Sequence, residues 1–298
     1  MTGVYSCDTM ELTTATIALF KDLVYSRCLL SFPQSREAQL RRWLSQCAED
    51  GGHRSFEEYY QVLCRDSREF DRLISLITTR ETYFFRMPAH FQILRETVLP
   101  ELINREGAAC MRALSQGQRL RMRLRAWSAG CATGQETYSL AMQVLDSIRY
   151  AKAWDIEVLG TDINADVLEF ARAGRYDRLR MGKTPVEFME RYFIPSPEAG
   201  DEVLVSDEVK ALTRFQILNL RNLSETDSFK NVFDIIFCRN VMIYFDLPAQ
   251  QRLVEALTAC LKPGGYLFTG EGEVLHLYRH SLKLIEQEHS MFYKKPEE

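Results

Sequence analysis

A strand that runs into two glycines and leaves at once as a helix is the strongest constraint on this chain. Between Arg125 and Glu136 the residues read Arg-Ala-Trp-Ser-Ala-Gly-Cys-Ala-Thr-Gly-Gln-Glu, followed by Thr137-Tyr-Ser-Leu-Ala-Met. Glycines at such a turn let main chain approach a ligand closely, and the first N–H groups of the helix point at it. Alone this is a weak nucleotide-site signal, because the full G-x-G-x-x-G spacing is absent. Three later segments strengthen it. Val158-Leu-Gly-Thr-Asp162 ends a strand on a carboxylate, and Phe233 to Phe245 runs a buried strand into a polar-aromatic turn. Leu261-Lys-Pro-Gly-Gly-Tyr-Leu-Phe268 reads as a helix stop followed by another strand.

From Leu124 onward strand and helix patterns alternate, which predicts a parallel sheet covered on both faces. Strands are expected near 124–129, 156–161, 213–218, 233–238 and 264–270, with an antiparallel hairpin between Ser281 and Lys294. The connection from about Gly174 to Thr213 is too long for an ordinary crossover. It holds a helix from Pro185 to Phe193, a turn around Ile194 to Gly200 and the alternating run Glu202-Val-Leu-Val-Ser, so a small inserted sheet is expected there.

Ahead of this lies a helical stretch. Leu12 to Tyr25, Ser35 to Ala48, Ser55 to Arg65 and Ser67 to Thr78 carry apolar residues at three- and four-residue steps. Ser55 with Glu58 has the form of a capping box. Thr79-Arg-Glu-Thr-Tyr-Phe-Phe-Arg86 is too aromatic for a free linker and is expected at a joint between domains, before a helix from Ala89 to about Asn104. The expected division is residues 1–80 helical, 81–105 linker and joining helix, and 106–298 α/β with an insertion near 174–213.

Composition excludes several classes. With 37 basic and 41 acidic residues the net charge is −4, without the basic footprint of a nucleic-acid binder. Arg119, Arg121, Arg123 and Arg125, next to Arg112, read as a solvated strand face. No apolar run reaches the ~18 residues of a spanning helix. The N-terminus lacks the basic and apolar regions of a signal peptide, so a cytoplasmic protein without membrane insertion is expected. Eight cysteines without a C-x-x-C pair argue against a metal site and read as reduced core thiols.

Candidate site residues follow from position. Asp162, at the carboxyl end of the second strand, can accept hydrogen bonds from a ribose diol; the alternative is that Asp162 or Asn164 caps the next helix. Glu136 complements a helix dipole or holds an ammonium group. Asn219 and Leu220 can bracket an adenine, or Asn219 is a plain turn residue. Asn240 can reach a ligand through its amide, and Tyr244 can set its ring beside a sulfonium or serve as a core aromatic. Arg86 can neutralise a carboxylate or form an interdomain salt bridge.

In their order, the four segments of the α/β region resemble a Rossmann-like class I methyltransferase. With Thr82-Tyr-Phe-Phe-Arg86 and Phe237-Cys-Arg-Asn-Val-Met-Ile-Tyr-Phe-Asp246 added, the chain from about residue 12 onward resembles the bacterial chemotaxis receptor methyltransferase family. The resemblance implies an all-helical N-terminal domain, S-adenosylmethionine as cofactor with S-adenosylhomocysteine as product, and cofactor contacts at Thr82, Arg86, Gly130, Glu136, Asp162, Asn219, Leu220, Asn240 and Val241. It places Arg86 and Tyr244 at the catalytic centre, Tyr244 near the transferred methyl. It implies methyl transfer to glutamate carboxylates on cytoplasmic helices of membrane chemoreceptors, with a receptor-tail peptide at the inserted sheet and no nucleic acid as partner. The family's usual Asn, Glu-Glu-Pro and arginine-rich helix are here Arg80, Gln135-Glu136-Thr137 and only Arg41 and Arg42. Methylation of another protein or a small molecule, and a non-catalytic cofactor sensor, remain as alternatives.

Overall fold

The computed structural model describes residues 12–78, 81–196 and 200–297. The N-terminal stretch, Cys7, Arg80 and the centre of the turn before Gly200 lie outside them. Two compact units emerge, Met1–Thr79 with Tyr244–Asp246, and Arg80–Ile243 with Leu247–Glu298.

The smaller unit is built from α1 (Thr14–Cys28), α2 (Gln34–Asp50), α3 (Phe56–Arg65) and α4 (Ser67–Ile77). Thr13, Ser55 and Asp66 cap α1, α3 and α4 by accepting from backbone N–H groups. Glu58 N donates to Ser55 Oγ, while the Glu58 carboxylate accepts from Arg54 N at 2.7 Å, one residue ahead of the Ser55 N–H that a capping box uses. Phe20, Leu40, Leu44, Tyr59, Leu63 and Leu73 are fully buried and form the centre. Tyr244–Asp246 joins this unit through a bridge between Leu30 and Phe245.

The larger unit begins with one long helical run: α5 (Pro88–Ile93), a π turn (Leu94–Val98) and α6 (Leu99–Ser115). The expected end near Asn104, and the boundary at 105/106, are corrected by this helix. Gly107 does not stop it, because an interior glycine costs only about 1 kcal/mol and Ala-Ala-Cys-Met resumes the helical pattern. Phe84 and Phe85, expected at a joint, are instead buried in this unit's own core, edge-on to Tyr176 and Phe91.

Then come β1 (Arg123–Ala129), α7 (Gln135–Ser147), β2 (Asp155–Asp162), α8 (Ala165–Ala173), β3 (Arg175–Asp177), α9 (Val186–Tyr192), β4 (Phe193–Pro195), β5 (Glu202–Val205), α10 (Asp207–Lys210), β6 (Thr213–Ile217), β7 (Phe233–Cys238), α11 (Leu247–Cys260), β8 (Leu261–Thr269), β9 (Lys283–Gln287) and β10 (Ser290–Lys294). The main sheet has the order β6-β2-β1-β7-β8-β10-β9. Its first five strands run parallel, and the closing hairpin is antiparallel. Chain order reverses between β1 and β7, the switch point at which doubly wound sheets take ligands. The insertion forms a second sheet, β3-β5-β4, as expected. β8 starts at Leu261, three residues before the expected strand. Leu261 pairs with Phe233 and Tyr266 with Ile235, so Lys-Pro-Gly-Gly forms an irregularity inside the strand instead of standing ahead of it.

Candidate active site

Three turns meet at the carboxyl end of the sheet. The first follows β1. Gly130 N and Cys131 N both donate to Thr161 O, at 2.8 and 2.9 Å, which pins the glycine turn to the end of β2. Gly130 has φ 77°, and a Cβ there would stand 2.5 Å from Val241 Cγ2. Only glycine allows that approach.

The second turn follows β2. Asp162 Oδ2 accepts from Ala132 N at 2.9 Å, and Oδ1 from Asn164 N at 3.0 Å. Asn164, not Asp162, caps α8 by accepting from Asp166 N. The capping alternative for Asp162 is thereby set aside, and its carboxylate is held at the end of the strand. At the end of the neighbouring β6, Leu218 N donates to Asp162 O, and Asn219 accepts from Arg221 N as the cap of the short helix opening at Leu220.

The third turn follows β7. Arg239 and Glu136 form an ion pair with Nε to Oε2 at 2.7 Å, their side chains 1% and 11% exposed. Ser128 donates to the other carboxylate oxygen of Glu136 at 2.6 Å. Glu136 is therefore no mere dipole complement; it ties α7 to β1 and to the turn after β7. Arg239 also donates to Arg86 O at 2.6 Å and lies over the ring of Phe237. So the segment carrying Arg86 is hung on the same guanidinium. Arg86 itself donates to Glu81 O, and its guanidinium stands 5.8 Å from the Tyr83 ring centre. Thr82 is half-buried beside it.

Asn240 has φ 59°, and its Oδ1 is buried with no partner. Its N–H, with those of Gly270 and Ile243, is taken by the buried carboxylate of Glu273. Burial pushes that carboxyl's pKa up against the N–H groups that lower it. Behind the turn, His90 is 1% exposed, and desolvation, aided by Arg239, brings its pKa down to about 3.

The structure thus gathers Gly130, Glu136, Asp162, Asn240 and Val241 at the switch point, with Asn219 and Leu220 at the adjoining strand end. Tyr244 belongs to the helical unit; its carbonyl accepts from Ser31 N at 2.8 Å and Arg36 stands 5.1 Å from its ring centre. Sequence reasoning missed Ser128, Arg239, Glu273 and His90. Arg239 lies inside the Cys-Arg-Asn string, so charge in the middle of an apolar motif was the available signal. The described cysteines form no disulfide, and Cys131 and Cys238 are buried thiols whose pKa burial raises. Of the arginines expected on a solvated face, Arg123 and Arg125, in β1 itself, pair with Asp155 at 3.3 and 2.6 Å, and Arg121 donates to Trp154 O at 2.7 Å. Among the described residues no His, Cys, Asp and Glu group could hold a metal, and no helix is long and apolar enough to cross a membrane.

A doubly wound sheet with a glycine turn, a strand-end carboxylate and an unsatisfied amide at its switch point defines a Rossmann-like class I methyltransferase domain. Two family models cover the chain: "CheR methyltransferase, SAM binding domain" over residues 80–291 and "CheR methyltransferase, all-alpha domain" over residues 15–78. The chain belongs to the CheR methyltransferase family, and its cofactor is S-adenosylmethionine. Chemotaxis protein methyltransferase 1 of Pseudomonas aeruginosa is 30% identical over 293 residues, 96% of this chain and 99% of that protein. A chemotaxis protein methyltransferase of Klebsiella aerogenes is 35% identical over 271 residues, covering 89% and 84% of the two chains. A probable chemotaxis protein methyltransferase of Rhizobium etli is 34% identical over 254 residues, 84% and 89%. The residues present fit the cofactor: the buried, partnerless Oδ1 of Asn240 and the bare main chain at Gly130 suit a polar ligand lying across the turn.

Proposed function

We propose that this protein methylates glutamate side chains on the cytoplasmic helices of chemoreceptors, giving γ-glutamyl methyl esters. The reading fits a cytoplasmic enzyme that meets its membrane-bound substrate from the cytoplasmic side. Bound S-adenosylmethionine supplies an electrophilic methyl group on a sulfonium. Asp162 holds the ribose diol, Asn219 and Leu220 bracket the adenine, Glu136 takes the ammonium, and Thr82, Arg86, Asn240 and Val241 complete the cradle, with Arg86 on the carboxylate. No step is assigned to Tyr244.

One observation carries the choice of a carboxylate acceptor. Of the titratable groups buried beside the site, His90, with its pKa near 3, binds a proton too weakly to serve an alcohol or amine as a base, the Cys131 and Cys238 thiols hold theirs too firmly, and the carboxylates of Glu136 and Glu273 are taken up by Ser128 and Arg239 and by main-chain N–H groups. A glutamate with an ordinary pKa near 4.3 is already ionised at neutral pH and needs no base. Catalysis then rests on positioning and on keeping water from the reacting carboxylate. A receptor-tail peptide adding to β3 or β4, the edge strands of the inserted sheet, would bring that acceptor close.

The test is transfer of labelled methyl from S-adenosylmethionine to receptor-containing membranes, followed by mild alkali. Label released as methanol supports the reading. Label that survives alkali means that the acceptor is not a carboxylate, and methylation of soluble metabolites alone removes the receptor from the proposal.

A further inference from the structure

We infer that Glu273 is a positioning residue that holds the turn from Asn240 to Ile243 in the shape the cofactor meets. The inference rests on that turn being part of the cofactor site. Glu273 comes from the loop after β8 and is 6% exposed. Its Oε2 accepts from Asn240 N and Gly270 N, each at 2.7 Å, and its Oε1 from Ile243 N at 3.3 Å. Of these main-chain donors Gly270 N is buried and Asn240 N and Ile243 N partly so, and one side chain takes all three in place of a stretch of ladder.

The turn has reason to need holding. Asn240 sits at φ 59°, a left-handed conformation that asparagine tolerates better than most non-glycine residues but that still leans on the contacts around it. That backbone angle aims the Asn240 amide, whose buried Oδ1 has no protein partner. Space is matched to the clamp: a Cβ on Gly270 would run into Glu273 Oε2 and Asn240 N. A carboxylate is also the only side chain of this length that accepts at both ends. An amide in its place turns an NH2 toward at least one of the donors, and a buried donor left unmet costs more than an ordinary hydrogen bond returns.

The experiment compares Glu273→Gln, Glu273→Ala, Asp162→Ala and Glu101→Gln in the full chain. Glu101 is the control: it bonds Tyr266 and Lys294 on the same sheet, away from the turn. Calorimetry gives the affinity for S-adenosylmethionine and S-adenosylhomocysteine, thermal unfolding gives stability, and amide exchange follows Asn240 and Gly270. We expect Glu273→Gln to weaken both ligands roughly tenfold or more, with faster exchange at those two amides. Glu101→Gln should lose stability and keep its affinity. If Asp162→Ala binds weakly while Glu273→Gln binds like the parent, the positioning role is wrong and the site stands. Normal affinity in Asp162→Ala would instead remove the cofactor-site reading itself. Should Glu273→Ala not fold, Glu273→Gln decides. Equal affinity loss in Glu273→Gln and Glu101→Gln at equal loss of stability would reduce the effect to general destabilisation and overturn the inference.

Discussion

His90 is held with its ring 5.2 Å from that of Phe268 and 6.3 Å from that of Phe237, out of water and close to Arg239. Its pKa falls from the usual 6.5 to about 3 because burial, and then the neighbouring guanidinium, disfavour the charged ring. The sign follows from proton uptake. Above pH 6.5 both folded and unfolded chains carry a neutral ring; below it the unfolded chain takes a proton that the fold refuses. Stability from this residue is thus present above 6.5 and is lost progressively as pH falls toward 3. Between pH 7 and 5 the loss should reach about 2 kcal/mol. Urea unfolding at the two pH values should show His90→Phe with a shallower decline than the parent; parallel declines would refute the assignment. Residues whose role follows from their place in a motif, such as Asp162 and Gly130, were visible in the linear text. Arg239 and Glu273 were not, because their partners are 103 and 33 residues away and nothing local marks the pairing.

Elements were legible wherever periodicity and capping agreed. β7 is legible residue for residue, since an apolar run interrupted only by Asp234 and closed by Arg239 leaves little choice. The full length of the helix ending at Ser115 and the early start of β8 are not, because Pro263 and the glycines read locally as a stop and Gly107 weakens the helical pattern beyond Asn104, while packing carries both elements through. β7 also carries a charge that its apolar run hides. Asp234, 1% exposed, meets Arg105 at 2.6 Å, Lys262 at 2.8 Å and the N–H of Arg125 at 2.9 Å. It joins α6, β8 and β1 at the end of the sheet remote from the cofactor turns. Removing the charge in Asp234→Asn should cost about 2 kcal/mol, since two partly exposed cations lose a buried partner and the Arg125 N–H an anionic acceptor. Cofactor affinity should not change. A fall in affinity without a fall in melting temperature would show that Asp234 acts on the site and not on the frame.

On the scale of the molecule, the inserted sheet is part of the catalytic unit's core. Tyr176, Phe188, Tyr192, Phe193, Val203 and Val205 are buried in the same cluster as Leu124 and Ile235. Tyr176 OH donates to Thr133 O, inside the glycine turn, at 2.7 Å. Tyr176→Phe should therefore weaken cofactor binding by about 1 kcal/mol, the worth of one hydrogen bond. Unchanged affinity by calorimetry would mean the insertion touches the turn without supporting it. The order of residues was enough to foretell a helical unit, a doubly wound sheet, an insertion and the turns at the strand ends, because period, capping and glycine turns are properties of neighbours along the chain. Only folding decided that Glu136 is tied to Arg239, that Glu273 holds Asn240, and that Tyr244 clusters with the helical unit. Burial turns such distant polar groups into obligatory partners, and which groups are buried together depends on the packing of whole elements.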